Sequence, residues 1–347
     1  MKQKLITLLA TMMLTSIAFA GCGNQNSADT KTIGTDNETQ ENTGNKPTIT
    51  ETMEKSFEFR PIVDSPFYEN AYSTEHMQTF KNMMNALLTY QSEFAMEEGV
   101  EWWEVEEFTN YMFPAFEIVV EQIEQKDSKG YIIYKNDKET TDKLISEFAQ
   151  KVEWWINSCT KQDEPDMLKA MEIYHKMSKE VSYDYEALDE DSIADVSPYR
   201  AIMESTGICQ SFAPAYSYLL MQLGIDACPT GGLCTDNVTS HEWTLLKLCD
   251  KWFYADVTYE NTDSENRLLY FGMTAKKRSE EGDYPINSMN IGECNRVFGN
   301  DIDITDDRFA CLDEIYDVKK MTYDNDSVIV EGLDFNNMAI TVKIPTN

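Results

Sequence analysis

The chain has 347 residues, with 61 Asp or Glu against 29 Lys or Arg, for a formal net charge of −32 at pH 7. Neutralising a phosphate backbone takes extended basic clusters, which are missing here, so nucleic acid is excluded as a partner and anionic lipid headgroups are disfavoured. Three histidines (His76, His175 and His241) and the lack of any Cys-x-x-Cys pair leave no basis for a structural zinc site, and no other metal or cofactor is implied.

At the N-terminus, Lys2 and Lys4 precede an apolar run from Leu5 to Ala18 that is too short and wrongly flanked to span a membrane. It ends in Phe19-Ala20-Gly21-Cys22, which resembles the lipobox of bacterial lipoproteins, with Phe19 where Leu is usual. The resemblance implies that residues 1–21 are a signal peptide and that Cys22 is acylated. The protein would then face the extracytoplasmic side of the cell membrane, held only by that lipid anchor. Residues 22–56 read as a disordered tether, rich in Asn, Thr, Asp, Glu and Gly. They have too little apolar surface to offset the entropy of ordering.

Residues 57–165 read as a helical N-terminal region. Met77, Phe80, Met84, Leu87, Leu88 and Phe94 recur at three- and four-residue steps, as do Leu144, Phe148, Val152, Trp155 and Ile156. Asp163-Glu164-Pro165 opens a further helix carrying Leu168, Met171, Tyr174 and Met177. A polar loop from Glu186 to Ser197 leads to Ser205-Thr206-Gly207-Ile208-Cys209. Behind Cys209, residues Phe212, Ala215, Tyr216, Leu219, Leu220 and Leu223 share one helical face. Pro214 suits only a first turn, so this helix is expected to start near Ser211. Strands are predicted over Ile225 to Cys228, Glu242 to Leu248 and Trp252 to Tyr259, with a last pair over Asp326 to Val330 and Met338 to Ile344. Helices followed by strands indicate an α+β fold with an antiparallel sheet. The acidic run Asp301, Asp303, Asp306 and Asp307 lacks the glycine and terminal Glu of a calcium loop and reads as solvated.

Cys209 is placed at or just before a helix start, where unpaired N–H groups and the macrodipole favour a thiolate. A small buried hydrophobe is the plain alternative. His241 changes the balance. With Cys249-Asp250 as the turn of a hairpin, residue 243 faces 256, and His241 and Asp256 become diagonal neighbours on one face, roughly 7 Å apart at Cα. A turn at Asp250-Lys251 keeps them on the same face but slides them further apart. Asp256 lies within Phe253-Tyr254-Ala255-Asp256-Val257, where a carboxylate needs a partner.

Gly207-Ile208-Cys209-Gln210, His241-x-Trp243 and Lys251-Trp252-x-x-x-Asp256-Val257-Thr258, with Val181 to Tyr185 upstream, resemble the motifs of the transglutaminase-like superfamily. Ser211 stands where that family often has Gly. The resemblance implies a papain-like core over residues 166–285, a nucleophile helix packed on an antiparallel sheet, with residues 286–347 as a C-terminal extension carrying short strands. It places a catalytic triad on Cys209, His241 and Asp256. The chemistry such a triad performs is acyl transfer through a thioester on Cys209, with a peptide or protein amide as substrate. Backbone N–H of Cys209 would serve an oxyanion, with Tyr183 or Gln210 as alternative second donors. Two other readings use the same cleft: a non-catalytic module binding peptide or cell-wall polymer, and a cross-linking transamidase. The segment from Pro229 to Ser240 is short and polar, and only Leu233, Cys234 and Val238 could line a dry wall, so water is the expected acceptor. The six other cysteines, Cys159, Cys228, Cys234, Cys249, Cys294 and Cys311, are irregularly spaced, and no more than one disulfide is expected.

Anchoring has a direct test. Cys22→Ser should release the protein from membrane fractions or leave it unprocessed, and a variant that partitions and matures like the parent would show the lipobox reading to be wrong.

Overall fold

The computed structural model describes residues 57–188, 195–235, 240–263, 266–290, 292–298 and 302–347. Cys22, the signal segment, the tether and Val238 lie outside these residues. Among the described residues, no helix is long and apolar enough to cross a membrane.

The N-terminal region is mainly helical. Helix α1 (Pro66–Ala71) and α2 (Thr74–Leu88) begin at Ser65 and Ser73, whose hydroxyls accept the N–H groups of Tyr68 and His76. Helices α3 (Trp102–Met112), α4 (Phe116–Val119) and α5 (Lys138–Asn157) follow, and Asp137 caps α5 through the Thr140 N–H. Phe80, Met84, Phe108, Phe148, Val152 and Trp155 are fully buried between them. The region also contains an antiparallel sheet that helical periodicity does not predict: β1 (Glu93–Ala95), β2 (Val120–Lys126) and β3 (Lys129–Tyr134), in the order β1-β3-β2. Two features explain it. Strands β2 and β3 meet at a tight turn in which Asp127 takes a left-handed φ of 56°. Phe94, placed by its spacing on the face of α2, instead pairs with Gly130, where any Cβ would overlap its ring.

Helix α6 (Asp166–Glu180) leads to the short strand β4 (Ser182–Tyr183), which pairs in parallel with β5 (Thr206–Gly207) after α7 (Pro198–Glu204). Helix α8 (Cys209–Gln222) comes next and is buried along almost its whole length. It packs on an antiparallel sheet of β6 (Ala227–Leu233), β7 (Ser240–Leu248) and β8 (Lys251–Ala255), with β7 central. Thr244 of β7 ties the layers together by donating to the Ala213 carbonyl at 2.9 Å. Helices α9 (Val257–Asp263), α10 (Ala275–Gly282) and α11 (Glu293–Phe298) follow, then a meander of β9 (Asp317–Tyr323), β10 (Ser327–Leu333) and β11 (Ala339–Pro345). The α+β architecture matches expectation. The last sheet has three strands where a pair was predicted.

Three boundaries also move. Strand β6 runs to Leu233 rather than ending at Cys228, taking in Pro229 to Gly232, which read as a polar segment. Helix α8 starts at Cys209, two residues before Ser211, because the Ser211 and Phe212 N–H groups both reach the Ile208 carbonyl, at 2.9 and 3.0 Å. Pro214 therefore lies inside the helix, where it cannot donate to the Gln210 carbonyl. Strand β8 stops at Ala255 rather than Tyr259. Asp256 turns the chain into α9 instead, its Oδ1 accepting the Tyr259 N–H at 3.0 Å and its carbonyl accepting that of Glu260 at 3.1 Å.

The contact between β1 and β3 can be tested. Gly130→Ala should cost about 1–3 kcal/mol in denaturant unfolding, the usual range for overpacking. Phe94→Leu in the same background should recover part of that loss, because the ring is what the methyl meets; strictly additive losses would refute this account.

Candidate active site

Strand pairing sets the start of α8. Ser182 N–H reaches the Ser205 carbonyl and Asp184 N–H the Gly207 carbonyl, both at 2.9 Å, so Tyr183 runs beside the residues entering the helix. Arg200 of α7 fixes the same segment through Asp184 at 2.7 Å. Gly207 is required by close approach: a Cβ there would lie 2.5 Å from both Cβ and Oγ of Ser211. The Ser211 hydroxyl uses that space. It accepts the Ile208 N–H at 3.3 Å and donates to the Val196 carbonyl at 2.8 Å. Cys209 thus becomes the first residue of a clamped helix, with its side chain only 6 % exposed.

His241 and Asp256 are set by the hairpin. Cys249 and Asp250 both take positive φ (50° and 59°), the pattern of a two-residue turn that follows strand twist. Thr244 faces Ala255 and Leu245 faces Tyr254, the register that this turn predicts. His241 Nε2 lies 2.7 Å from Asp256 Oδ2, with both side chains buried. Burial alone would raise the Asp256 carboxyl. The charge and hydrogen bond of His241, then the charge of Arg278, outweigh burial and hold the group below its ordinary range. An ionised carboxylate only accepts, so Nε2 carries the proton donated to it and Nδ1 is the basic nitrogen of the neutral ring.

Several contributors to this site are not apparent in the sequence. Arg278 of α10 is fully buried and its Nη1 meets Asp256 Oδ2 at 2.5 Å. Its guanidinium lies 4.4 Å from the ring centre of Tyr259 and 5.0 Å from those of Trp243 and Tyr284. Tyr259 also stacks on the His241 ring at 4.7 Å. In the sequence Arg278 stands within Lys276-Lys277-Arg278-Ser279-Glu280-Glu281, which reads as a solvated helix; the need of Asp256 for a partner was the only hint. Glu242 is a second addition. Burial, then the charge of Glu293, pushes its carboxyl up to about 8.

The Cys209 thiol departs from expectation. Burial pushes it up to about 12; the charges of Glu242 and Asp256 act the same way, and the main-chain N–H groups of Glu242 and Gln210 pull back without prevailing. The resting side chain is a neutral thiol. A helix start offers partial charge, but removing a thiolate from water costs more. The sulfur lies against the main chain of β7 at the residue after His241, so the helix start and the His–Asp pair form one locus.

The family model described as the transglutaminase-like superfamily matches residues 153–257, a span that includes Cys209, His241 and Asp256. The chain carries a transglutaminase-like domain. No curated protein matches the sequence. Among solved structures, a candidate cysteine protease from Cytophaga hutchinsonii is similar at 22% identity and a TM-score of 0.22, over 26% of this chain and 30% of that one. A structure described as a TGase is similar at 12% identity and a TM-score of 0.32, over 50% of this chain and 52% of that one. Arg278 and Tyr284 lie beyond the matched residues of the transglutaminase-like domain.

Neighbouring charge on the thiol can be measured by alkylation with iodoacetamide across pH. The Cys209 profile should have its midpoint above that of an ordinary thiol, about 8.5. Glu242→Gln removes a carboxylate that opposes thiolate formation, so the midpoint should fall by about half a unit to one unit. An unmoved midpoint would mean that Glu242 exerts no force on the sulfur.

Proposed function

We propose that the transglutaminase-like domain is a cysteine acyl-transfer enzyme that hydrolyses an amide bond of a peptide or protein. Cys209 is the nucleophile, His241 the base and acid, and Asp256 the group that orients His241. The observation that carries this reading is the buried His241–Asp256 hydrogen bond of 2.7 Å beside the helix start bearing Cys209. That bond leaves Nδ1 as the basic ring nitrogen.

With a neutral thiol at rest, proton transfer accompanies attack. Nδ1 of His241 takes the proton from Cys209 as sulfur bonds to the substrate carbonyl carbon, and the imidazolium forms beside Asp256. The oxyanion is met by the N–H of Cys209, which has no intrahelical partner at the first position of α8. His241 then gives the proton to the departing amine, leaving a thioester. Water, deprotonated by His241, attacks the thioester; the acid leaves and the thiol is restored. By the lipobox resemblance, the enzyme works from the outer membrane surface on a tether of residues 22–56.

A cross-linking transamidase is the second reading, and one observation favours it. Pro229 to Gly232 are buried residues of β6 rather than a polar loop, and Trp243, Tyr259 and Tyr284 surround His241, so the locus is more apolar than the sequence implied. Against it, an amine must lose its proton before it can attack. The Asp256 carboxylate favours its ammonium form. Water needs no such step, and it is present at about 55 M against a millimolar amine.

Supplying a labelled primary amine at millimolar concentration with a peptide amide substrate, and following both products by mass, separates the readings. The parent should release acid, with amine adduct a minor branch, and Cys209→Ala should lose about 10³-fold or more in rate. Dominant adduct that disappears in Cys209→Ala would overturn hydrolysis and keep the triad; neither product across a broad substrate panel would favour a binding module.

A further inference from the structure

Seven cysteines lie among the described residues, and all are free thiols in the structure. Four of them donate to a main-chain carbonyl: Cys159 to Trp155, Cys234 to Gly282, Cys249 to Thr346 and Cys311 to Arg308. Cys209 belongs to the candidate active site. Cys228 of β6 and Cys294 of α11 remain. Neither has any exposed surface, and their side chains interact with each other.

Strand register and packing bring this pair together from distant parts of the chain. Cys228 pairs with Leu245 and Leu245 with Tyr254, so the three side chains stand in a row on one face of the sheet. Trp252, two residues before Tyr254, points to the same face. The segment that carries Cys294 is fixed on this face at both ends. Asn290 accepts from the Tyr254 hydroxyl, and the Phe298 ring packs on those of Trp252 and Phe67, with centroids 5.2 and 5.9 Å apart. Cys294 is midway between Asn290 and Phe298, and so is laid against the row that Cys228 begins.

We propose that Cys228 and Cys294 are a disulfide-forming pair that fastens α11 to the edge strand β6. This goes beyond the reaction proposed above and does not depend on it. The co-reactant is a disulfide donor of the glutathione class. One cysteine, as its thiolate, attacks the donor, forming a mixed disulfide and releasing one glutathione. The other, as its thiolate, displaces the second glutathione. One S–S bond forms in the protein and one breaks in the donor. Two electrons pass to the donor, and the two protons lost by the cysteines end on the glutathione thiols.

The bond closes a loop that runs from β6 through His241, Asp256, Arg278 and Tyr284 to α11. A helix of six residues is not stable by itself. The cross-link holds it over β6 and removes loop-closure entropy from the unfolded chain. Burial pushes the Cys228 thiol up, away from the reactive thiolate. Exchange is therefore fastest while the chain folds, before α11 closes over β6.

The experiment follows that order. Full-length protein is unfolded with reductant, refolded in reduced and oxidised glutathione, and its folded fraction is quenched with acid. That fraction is then unfolded, alkylated with iodoacetamide and mapped by mass without reduction. One species should join the Cys228 peptide to the Cys294 peptide, lighter than their sum by two hydrogen atoms, and dithiothreitol should release it. Alkylation of both cysteines, or linkage of either to a different cysteine, would overturn the proposal. Reduction should also lower the thermal midpoint of the oxidised parent by on the order of 5 °C. The double variant Cys228→Ala, Cys294→Ala should show no such drop; an equal drop there would place the stabilising bond elsewhere. The peptide map of the parent decides alone if that variant does not fold.

Discussion

A carboxylate with no exposed surface must be met by donors on the protein itself, and Asp256 obtains them from three different elements. His241 comes from the central strand β7, Arg278 from α10, and the Tyr259 N–H from the first turn of α9. The Asp256 N–H is also used, reaching the Tyr270 carbonyl at 3.0 Å. Each contact constrains the chain as well as the charge. Because Oδ1 caps α9, strand β8 ends one residue earlier. Because Oδ2 takes both His241 and Arg278, β7 and α10 are pinned at fixed distances from one another. The remainder of the site is arranged around this one group.

Beside the residue that follows His241 lies the Cys209 thiol, whose environment pulls in two directions. The helix start supplies N–H groups that favour a thiolate, and burial with Glu242 and Asp256 opposes it. Burial prevails, and the thiol is pushed up to about 12. This has a chemical consequence. A preformed thiolate reacts with any electrophile that reaches it, whereas a neutral thiol beside an oriented imidazole acquires nucleophilicity only as its proton is taken. In the proposed reaction the same carboxylate, Asp256, would both oppose a resting thiolate and steady the imidazolium formed on attack, which would match the site to the charged state that develops rather than to the one at rest.

The residues bearing the candidate chemistry were legible for local reasons. The apolar face from Phe212 to Leu223 announces a clamped helix, and the Cys249-Asp250 turn fixes which β7 residues share a face with Asp256. What was missed depends on distant partners. Helical spacing placed Phe94 on α2 because nothing local says that Gly130, 36 positions on, lies beneath its ring. Pro214 argued for a later helix start, yet the tertiary clamp of Ser211 on Val196 and Ile208 closes the turn earlier. Arg278 is the sharpest case. Its neighbours in sequence are charged, and only the three-dimensional placement of Trp243, Tyr259 and Tyr284 turns that position into an interior one.

Those aromatic residues also show that the locus is built from more chain than the matched 153–257. Tyr284 stacks near His241, Met289 bridges to Gly232, and the Asn290 side chain accepts from the Tyr254 hydroxyl. The Tyr254 main chain exchanges hydrogen bonds with Met273 at 2.8 and 3.0 Å, which carries β8 directly into the segment that delivers α10. Strands β6 and β8, the two edges of the sheet under α8, are therefore both covered by residues that follow the hairpin in sequence. Covering edges satisfies their main-chain groups and at the same time brings the cation to Asp256. The segment after residue 257 is thus as much a wall of the site as the strands that bear His241 and Asp256.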